Sequence, residues 1–152
     1  MKLILGLLVA LVTLTACAQT STLDKASAFQ ELADGSCSSG QSQFVQEHIS
    51  VQITAFSNAD WESAYSYASP GFRAAIGIDQ FIFIIGAQYP MLINNQDVKY
   101  GDCTLVGDEI TQMVSVTSEN EIFELRYSLS FDGKELGIES ASPILTESQT
   151  TI

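Results

Sequence analysis

The stretch 121-EIFELRYSLSFD-132 decides the fold class: Phe123, Leu125, Tyr127, Leu129 and Phe131 alternate with Glu124, Arg126, Ser128 and Ser130. A period of two places successive side chains on opposite faces of an extended chain, so this is a strand with one core face and one wet face. Working outward, residues 97–106, 109–117 and 134–142 read as three further strands. Gly107-Asp108, Glu119-Asn120 and Asp132-Gly133 supply turns at hairpin spacing between them. The C-terminal half is therefore predicted to be a four-stranded antiparallel meander.

Upstream of Asn94-Asn95 the period lengthens. A helix is predicted from about Ser42, because Val45, Ile49, Ile53 and Phe56 form one apolar stripe at helical spacing. Ser57-Asn58-Ala59-Asp60 breaks it and offers Asp60 as a new N-cap. The second helix presents Trp61, Ala64, Tyr65 and Ala68 on one face and stops at Ser69-Pro70-Gly71, since the residue before proline disfavours helix. Residues 72–76 are read as a short turn. Asp79 is expected to cap a third helix over 80–88, whose Phe81-Ile82-Phe83-Ile84-Ile85 run is apolar all round and calls for cover on most sides. Tyr89-Pro90 ends it. About three helices followed by four antiparallel strands is an α+β arrangement.

The N-terminus reads differently. Residues 3–14 form an apolar run broken only by Gly6 and Thr13, too short to span a bilayer, which needs ~20 apolar residues. Leu14-Thr15-Ala16-Cys17 follows it as a lipobox: small residues before a cysteine whose thiol can carry a diacylglycerol. The expectation is a bacterial lipoprotein with signal peptide 1–16, exported to the cell envelope and lipid-anchored to a membrane on its extracytoplasmic side through Cys17. Residues 17–41, rich in small polar side chains, are read as the lipidated cysteine and its tether. Phe29 and Leu32 could form a helical turn docking on the domain. Residues 42–145 are read as one domain and 146–152 as a disordered tail. With Cys17 lipidated, Cys37 and Cys103 remain as an even pair in an exported chain and are expected to form one disulfide.

Charge limits the partners. The 152 residues carry 18 Asp and Glu against 6 Lys and Arg, a net charge of −12 at pH 7. Such a surface repels nucleic acid, so no nucleic-acid partner is expected. Neither a CxxC nor a His/Cys cluster is present, and no metal site or cofactor is expected. His48, the lone histidine, sits at the border of the first helix's stripe, where a solvated or capped side chain is the ordinary reading; no nucleophilic triad is supported. Asp60 and Glu62 lie in a first helical turn, where acids serve the cap and the dipole. Asp102, Glu124, Tyr100 and Tyr127 are the candidates for a general base and hydrogen-bond donors, but Glu124 and Tyr127 fall on opposite faces of their strand. Trp61, Tyr65, Tyr67, Phe72 and Tyr89, with Tyr127 from the sheet, are candidates to line a pocket, the competing reading being plain core.

Ala55-Phe56, Ala59-Asp60-Trp61-Glu62-Ser63-Ala64-Tyr65, Ala68-Ser69-Pro70-Gly71-Phe72, Phe81 and Tyr89-Pro90 together resemble domain of unknown function 4864 over roughly residues 44–144. The resemblance implies a nuclear-transport-factor-2-like cone, a curved sheet wrapped around a long helix. Such domains often carry a Trp in the last strand; here Leu136 stands there. The functional expectation is a membrane-anchored, non-catalytic accessory domain that takes a small apolar ligand or an envelope protein partner. An isomerase- or dehydratase-like enzyme with a carboxylate in the cone and a structural envelope lipoprotein are the alternatives. A homodimer through the sheet is left open.

Overall fold

The computed structural model describes residues 25–30 and 32–144. The signal peptide, Cys17 and the 146–152 tail lie outside the described residues.

The alternating stretch forms β4 (Glu121–Phe131), paired antiparallel along its length with β3 (Glu109–Ser118) and on its other side with β5 (Leu136–Pro143). β2 (Asp97–Val106) pairs with the free edge of β3. Glu119 and Asn120 both adopt positive φ, 52° and 68°, as a tight two-residue hairpin turn requires, and Gly107 and Gly133 do the same at the neighbouring turns. The alternation lands as read: Leu125, Tyr127 and Leu129 are buried, and Ile110, Val114 and Val116 of β3 share their face.

The sheet has five strands where the sequence predicts four, in the order β1-β2-β3-β4-β5. The additional strand is β1 (Gly35–Ser36), paired antiparallel with Thr104 and Leu105. Two residues are too few to carry a period, so nothing in the local sequence marks it. What holds β1 is long-range. Cys37 and Cys103 are disulfide-bonded with their Cα atoms 5.4 Å apart. Cys37 N–H donates to the Cys103 carbonyl at 2.9 Å, and Gly107 N–H donates to Asp34 Oδ1 at 2.8 Å.

The helices are also more numerous than expected. α1 (Lys25–Ala28) precedes β1. Packing therefore begins well before residue 42: Phe29 is buried and stacks on Phe131, with ring centroids 5.0 Å apart. α2 (Ser39–Ser57) starts three positions earlier than Ser42 because Ser38 and Gln41 close a capping box. Gln41 N–H donates to Ser38 Oγ (3.2 Å) and Ser38 N–H donates to Gln41 Oε1 (2.8 Å). The α2 stripe, Val45, Ile49, Ile53 and Phe56, is buried against the sheet. α3 (Trp61–Ser66) is capped by Asp60, which accepts from Ser63 N–H, as expected. The turn expected at 72–76 is a helix, α4 (Pro70–Ala75), with Ser69 as N-cap and Pro70 in its first turn. α5 (Ile78–Gln88) is capped at Gly77 rather than Asp79, and α6 (Pro90–Ile93) adds one turn. α5 is not covered on most sides: only Phe81 and Ile85 are buried, and Phe83 is 72% exposed. The helix lies on the surface and closes the layer from outside.

Three irregularities shape the interior. The β2–β3 ladder slips between Tyr100 and Cys103, so Gly101 and Asp102 together oppose Met113. This bulge returns Cys103 to the inner face, three residues after Tyr100. Buried Gln112 braces it, its Nε2 amide donating to the Gly101 carbonyl at 2.9 Å. The β4–β5 ladder slips between Ser128 and Leu129, leaving Glu139 as the extra residue. Finally, residues 67–69 run parallel to the outer edge of β5: Ser69 N–H donates to the Ile138 carbonyl (2.9 Å) and Ile138 N–H to the Tyr67 carbonyl (3.0 Å). That segment occupies an edge that would otherwise be left with unpaired backbone groups.

Candidate functional site

Between the helical layer and the β5 end of the sheet lies a cavity of about 140 Å³. α2 contributes Gln52 and Phe56 to its wall, α4 Phe72, and α5 Phe81, Ile84 and Ile85. Tyr89 and Leu92 close one side, Tyr127 of β4 forms part of the sheet wall, and the β5 bulge brings Ile138, Glu139, Ser140 and Ala141 to the rim. The aromatic wall is a connected cluster centred on Phe81, whose ring lies 5.7 Å from Phe56, 6.0 Å from Phe72 and 5.4 Å from Tyr65. Rings held edge to tilted in this way give a rigid, apolar surface.

Of the aromatic residues singled out in the sequence, Phe72, Tyr89 and Tyr127 line the cavity. Trp61 and Tyr65 stand behind it. Trp61 packs on Phe56 with ring centroids 6.2 Å apart. Tyr65 donates its hydroxyl to the Ile76 carbonyl at 2.7 Å, pinning α3 to the chain after α4. Tyr67 and His48 form an edge-on pair at 4.8 Å, and His48 Nε2 lies 3.0 Å from the Tyr67 carbonyl. This contact ties α2 to the segment along the β5 edge. Sequence reasoning missed Phe56, Phe81, Ile85 and Leu92 as wall residues, because they belong to stripes that read as ordinary core. It missed Glu139 and Ser140 because a bulge has no composition of its own.

The polar groups of the wall are mostly committed to the protein. Tyr89 donates to the Ala141 carbonyl at 2.6 Å, Gln52 Nε2 donates to the Ala64 carbonyl at 3.1 Å, and Glu139 Oε1 accepts from the Ser130 hydroxyl at 2.6 Å. Tyr127 differs. It is fully buried and its hydroxyl has no hydrogen-bond partner. Burial holds its phenol well above the ordinary tyrosine range, with Tyr100 and Tyr89 adding to the shift, so the group stays protonated and is a hydrogen-bond donor at any physiological pH.

The candidate acids lie elsewhere. Glu124 accepts from Ser115 Oγ at 2.7 Å on the outer face of the sheet. Asp102 is exposed in the β2 bulge and borders an open groove on that same face, with Thr104, Glu109, Met113 and Arg126. Neither lines the cavity that holds Tyr127, and Tyr100 is buried enough for its phenol to be pushed upward, Ser50 beside it offsetting part of the effect. Asp60 is spent on the α3 cap. Among the described residues, no three His, Cys, Asp or Glu side chains gather as a metal site would need, and no helix is long and apolar enough to cross a membrane.

No curated protein and no solved structure matches the chain. The profile of a domain of unknown function, DUF4864, matches residues 39–139, the span from the first turn of α2 to the β5 bulge. That span contains the whole cavity wall except Ser140 and Ala141, and the chain belongs to the DUF4864 family.

Proposed function

We propose that this domain binds a small apolar ligand in the cavity between α2, α5 and β5, without catalysing a reaction on it. The observation that carries the reading is the cavity itself: about 140 Å³ of space walled by Phe56, Phe72, Phe81, Ile85, Leu92 and Ile138. An apolar cavity of this size takes a single ring-sized molecule. The candidate acids Asp102 and Glu124, on the other sheet face, offer no base to such a ligand. In this reading the sheet and α2 form a nuclear-transport-factor-2-like cone, with the cavity inside its wide end.

The test uses cumene, a neutral hydrocarbon, as probe. Titrated into the exported chain, it is expected to shift the NMR signals of Phe81, Ile85 and Leu92 saturably. No saturable shift up to its aqueous solubility, or shifts confined to outer-face residues such as Thr111 and Met113, removes the reading.

The cellular setting forms part of the proposal. Lipid on Cys17 holds the domain at the extracytoplasmic side of a bacterial membrane. A single chain binds a membrane only marginally, whereas two or three hold it firmly. Cys17→Ala is therefore expected to move the protein from the membrane fraction to the soluble one or to leave it as uncleaved precursor. Processed Cys17→Ala protein that still sediments with membranes contradicts the anchor.

A further inference from the structure

α5 has two apolar sides. Phe81 and Ile85 are buried and, with Ile84, line the cavity, whereas Phe83 is 72% exposed and Gly86 and Ala87, three and four residues on, are exposed beside it. Ile82 is half-buried, and α4 leaves Ala74 and Ala75 in the open. Large exposed apolar patches on a protein mark places where something else binds. The charge of this part of the chain is equally distinct. Of the 18 Asp and Glu residues, only Asp79 falls between Ser63 and Gln96, and the only base there is Arg73. The chain that builds α4, α5 and α6 is thus neutral within a protein of net charge −12. Val106 and Ile122 are widely exposed too, but each sits among acids of its own hairpin, Asp108 and Glu109 for the first, Glu119 and Glu121 for the second.

We propose that the exposed side of α5 docks on the lipid surface of the membrane, with Phe83 entering the interfacial layer of the bilayer. The inference rests on the Cys17 anchor and adds to it the face that the domain turns to the lipid. Chain length brings the two surfaces together. Eight residue steps separate Cys17 from Lys25, and no chain of that length spans more than ~28 Å. A domain of this size is about 35 Å across, so an anchored one stays within its own diameter of the headgroups. Charge selects the face. Anionic lipid repels the outer side of the sheet, with Asp102, Glu109 and Glu124, and meets only Asp79, in the first turn, on α5. An apolar helix face with an aromatic side chain gains by leaving water at such an interface. The chain also enters beside this face. Phe29, just past α1, stacks on Phe131, and Glu135 in the turn that follows β4 pairs with Arg73 of α4 at 3.8 Å.

A second copy of the chain competes for the same face, since two acidic molecules repel each other least where neither carries charge. The anchor favours the bilayer. It holds the lipid surface within reach of α5 at a high effective concentration, whereas a second copy must be met by diffusion.

The experiment places the processed, lipidated protein in nanodiscs of phosphatidylethanolamine and phosphatidylglycerol that include a gadolinium-chelating lipid. NMR then reads the line broadening that the metal causes near the headgroups. The expected result is strong broadening of the Ile82, Phe83 and Ala87 amides and little at Thr111 and Met113 on the outer sheet face. Phe83→Glu and, independently, Ala87→Glu are expected to lose that difference while the signals of β3 and β4 stay in place, because both side chains are exposed and the fold does not depend on them. Broadening that is even over the domain, or strongest at Thr111 and Met113, overturns the inference and leaves the anchor standing. A difference that survives in both variants overturns it as well. So do α5 signals that escape the gadolinium and shift instead when two copies share a disc, the mark of self-association. Wild-type protein that does not stay with the discs removes the anchor and the inference together.

Discussion

Replacing Cys37 and Cys103 together by serine is expected to lower the unfolding free energy by about 4 kcal/mol, the value the chain-entropy account assigns to opening a loop of this length. The bond joins positions 66 residues apart, from the segment before α2 to the bulged strand β2. Without it the unfolded chain regains the freedom of that whole loop. The folded chain keeps only short connections at the same place: the two-residue β1, the Cys37–Cys103 backbone hydrogen bond, and the Asp34 contact to Gly107. Urea unfolding of the exported double variant, with an unchanged slope against denaturant, measures the loss. A loss below about 1 kcal/mol would mean that those backbone contacts and the Phe29–Phe131 stack hold the N-terminal segment unaided. The loss is also expected to appear locally: amide protection at Cys37 should fall before that of β3, because β1 is an edge of two residues while β3 is paired on both sides.

Gly137→Ala is expected to cost about 3 kcal/mol or more, at the upper end of what overpacking does. A Cβ added there would lie 2.4 Å from Ser69 Cα, 2.7 Å from Ser69 Cβ and 3.0 Å from Ser69 N. The nearest obstacles are main chain and a Cβ, so no side-chain rotation relieves the clash. Residues 67–69 must move off the β5 edge, breaking the hydrogen bonds between Ser69 and Ile138 and between Ile138 and Tyr67. Ala68 and Ile138, which flank that contact, are wall residues of the cavity, so cumene binding should weaken along with stability. Gly86→Ala on α5 is the control: nothing lies within 4 Å of the place its methyl group would occupy, and alanine is the better helix former, so stability should hold or rise. Thermal unfolding of the two variants side by side reads the difference. Equal stability for Gly137→Ala and wild type would show that the close approach of Ser69 is not maintained in solution.

Much of this architecture was legible because it is written in short-range periods. The alternation of Phe123 to Phe131 is visible without any partner strand, and so are the stripe Val45, Ile49, Ile53 and Phe56 and the cap at Asp60. The α5 run misled for the same reason. Phe81-Ile82-Phe83-Ile84-Ile85 is apolar all round, but burial depends on what lies opposite, and only Phe81 and Ile85 meet the core. The candidate site was legible in part. Phe72, Tyr89 and Tyr127 line the cavity, whereas Trp61 and Tyr65, chosen on the same ground of being aromatic, pack behind it. Aromatic character tells that a residue prefers to be buried. It does not tell on which side of a wall it will stand.

By itself, then, the sequence determined the α+β order of elements, the hairpin turns, the faces of the central strands and the cysteine pair, since each follows from spacing within a few residues or from parity of a count. The tertiary structure alone decided the fifth strand, the two bulges, the 67–69 segment on the β5 edge, the cavity, and the partnerless hydroxyl of Tyr127. Those features arise between residues distant along the chain, Ser36 with Thr104, Ser69 with Ile138, Tyr89 with Ala141. A side chain's neighbours across such a distance are set by how whole layers pack, and no local pattern carries that information.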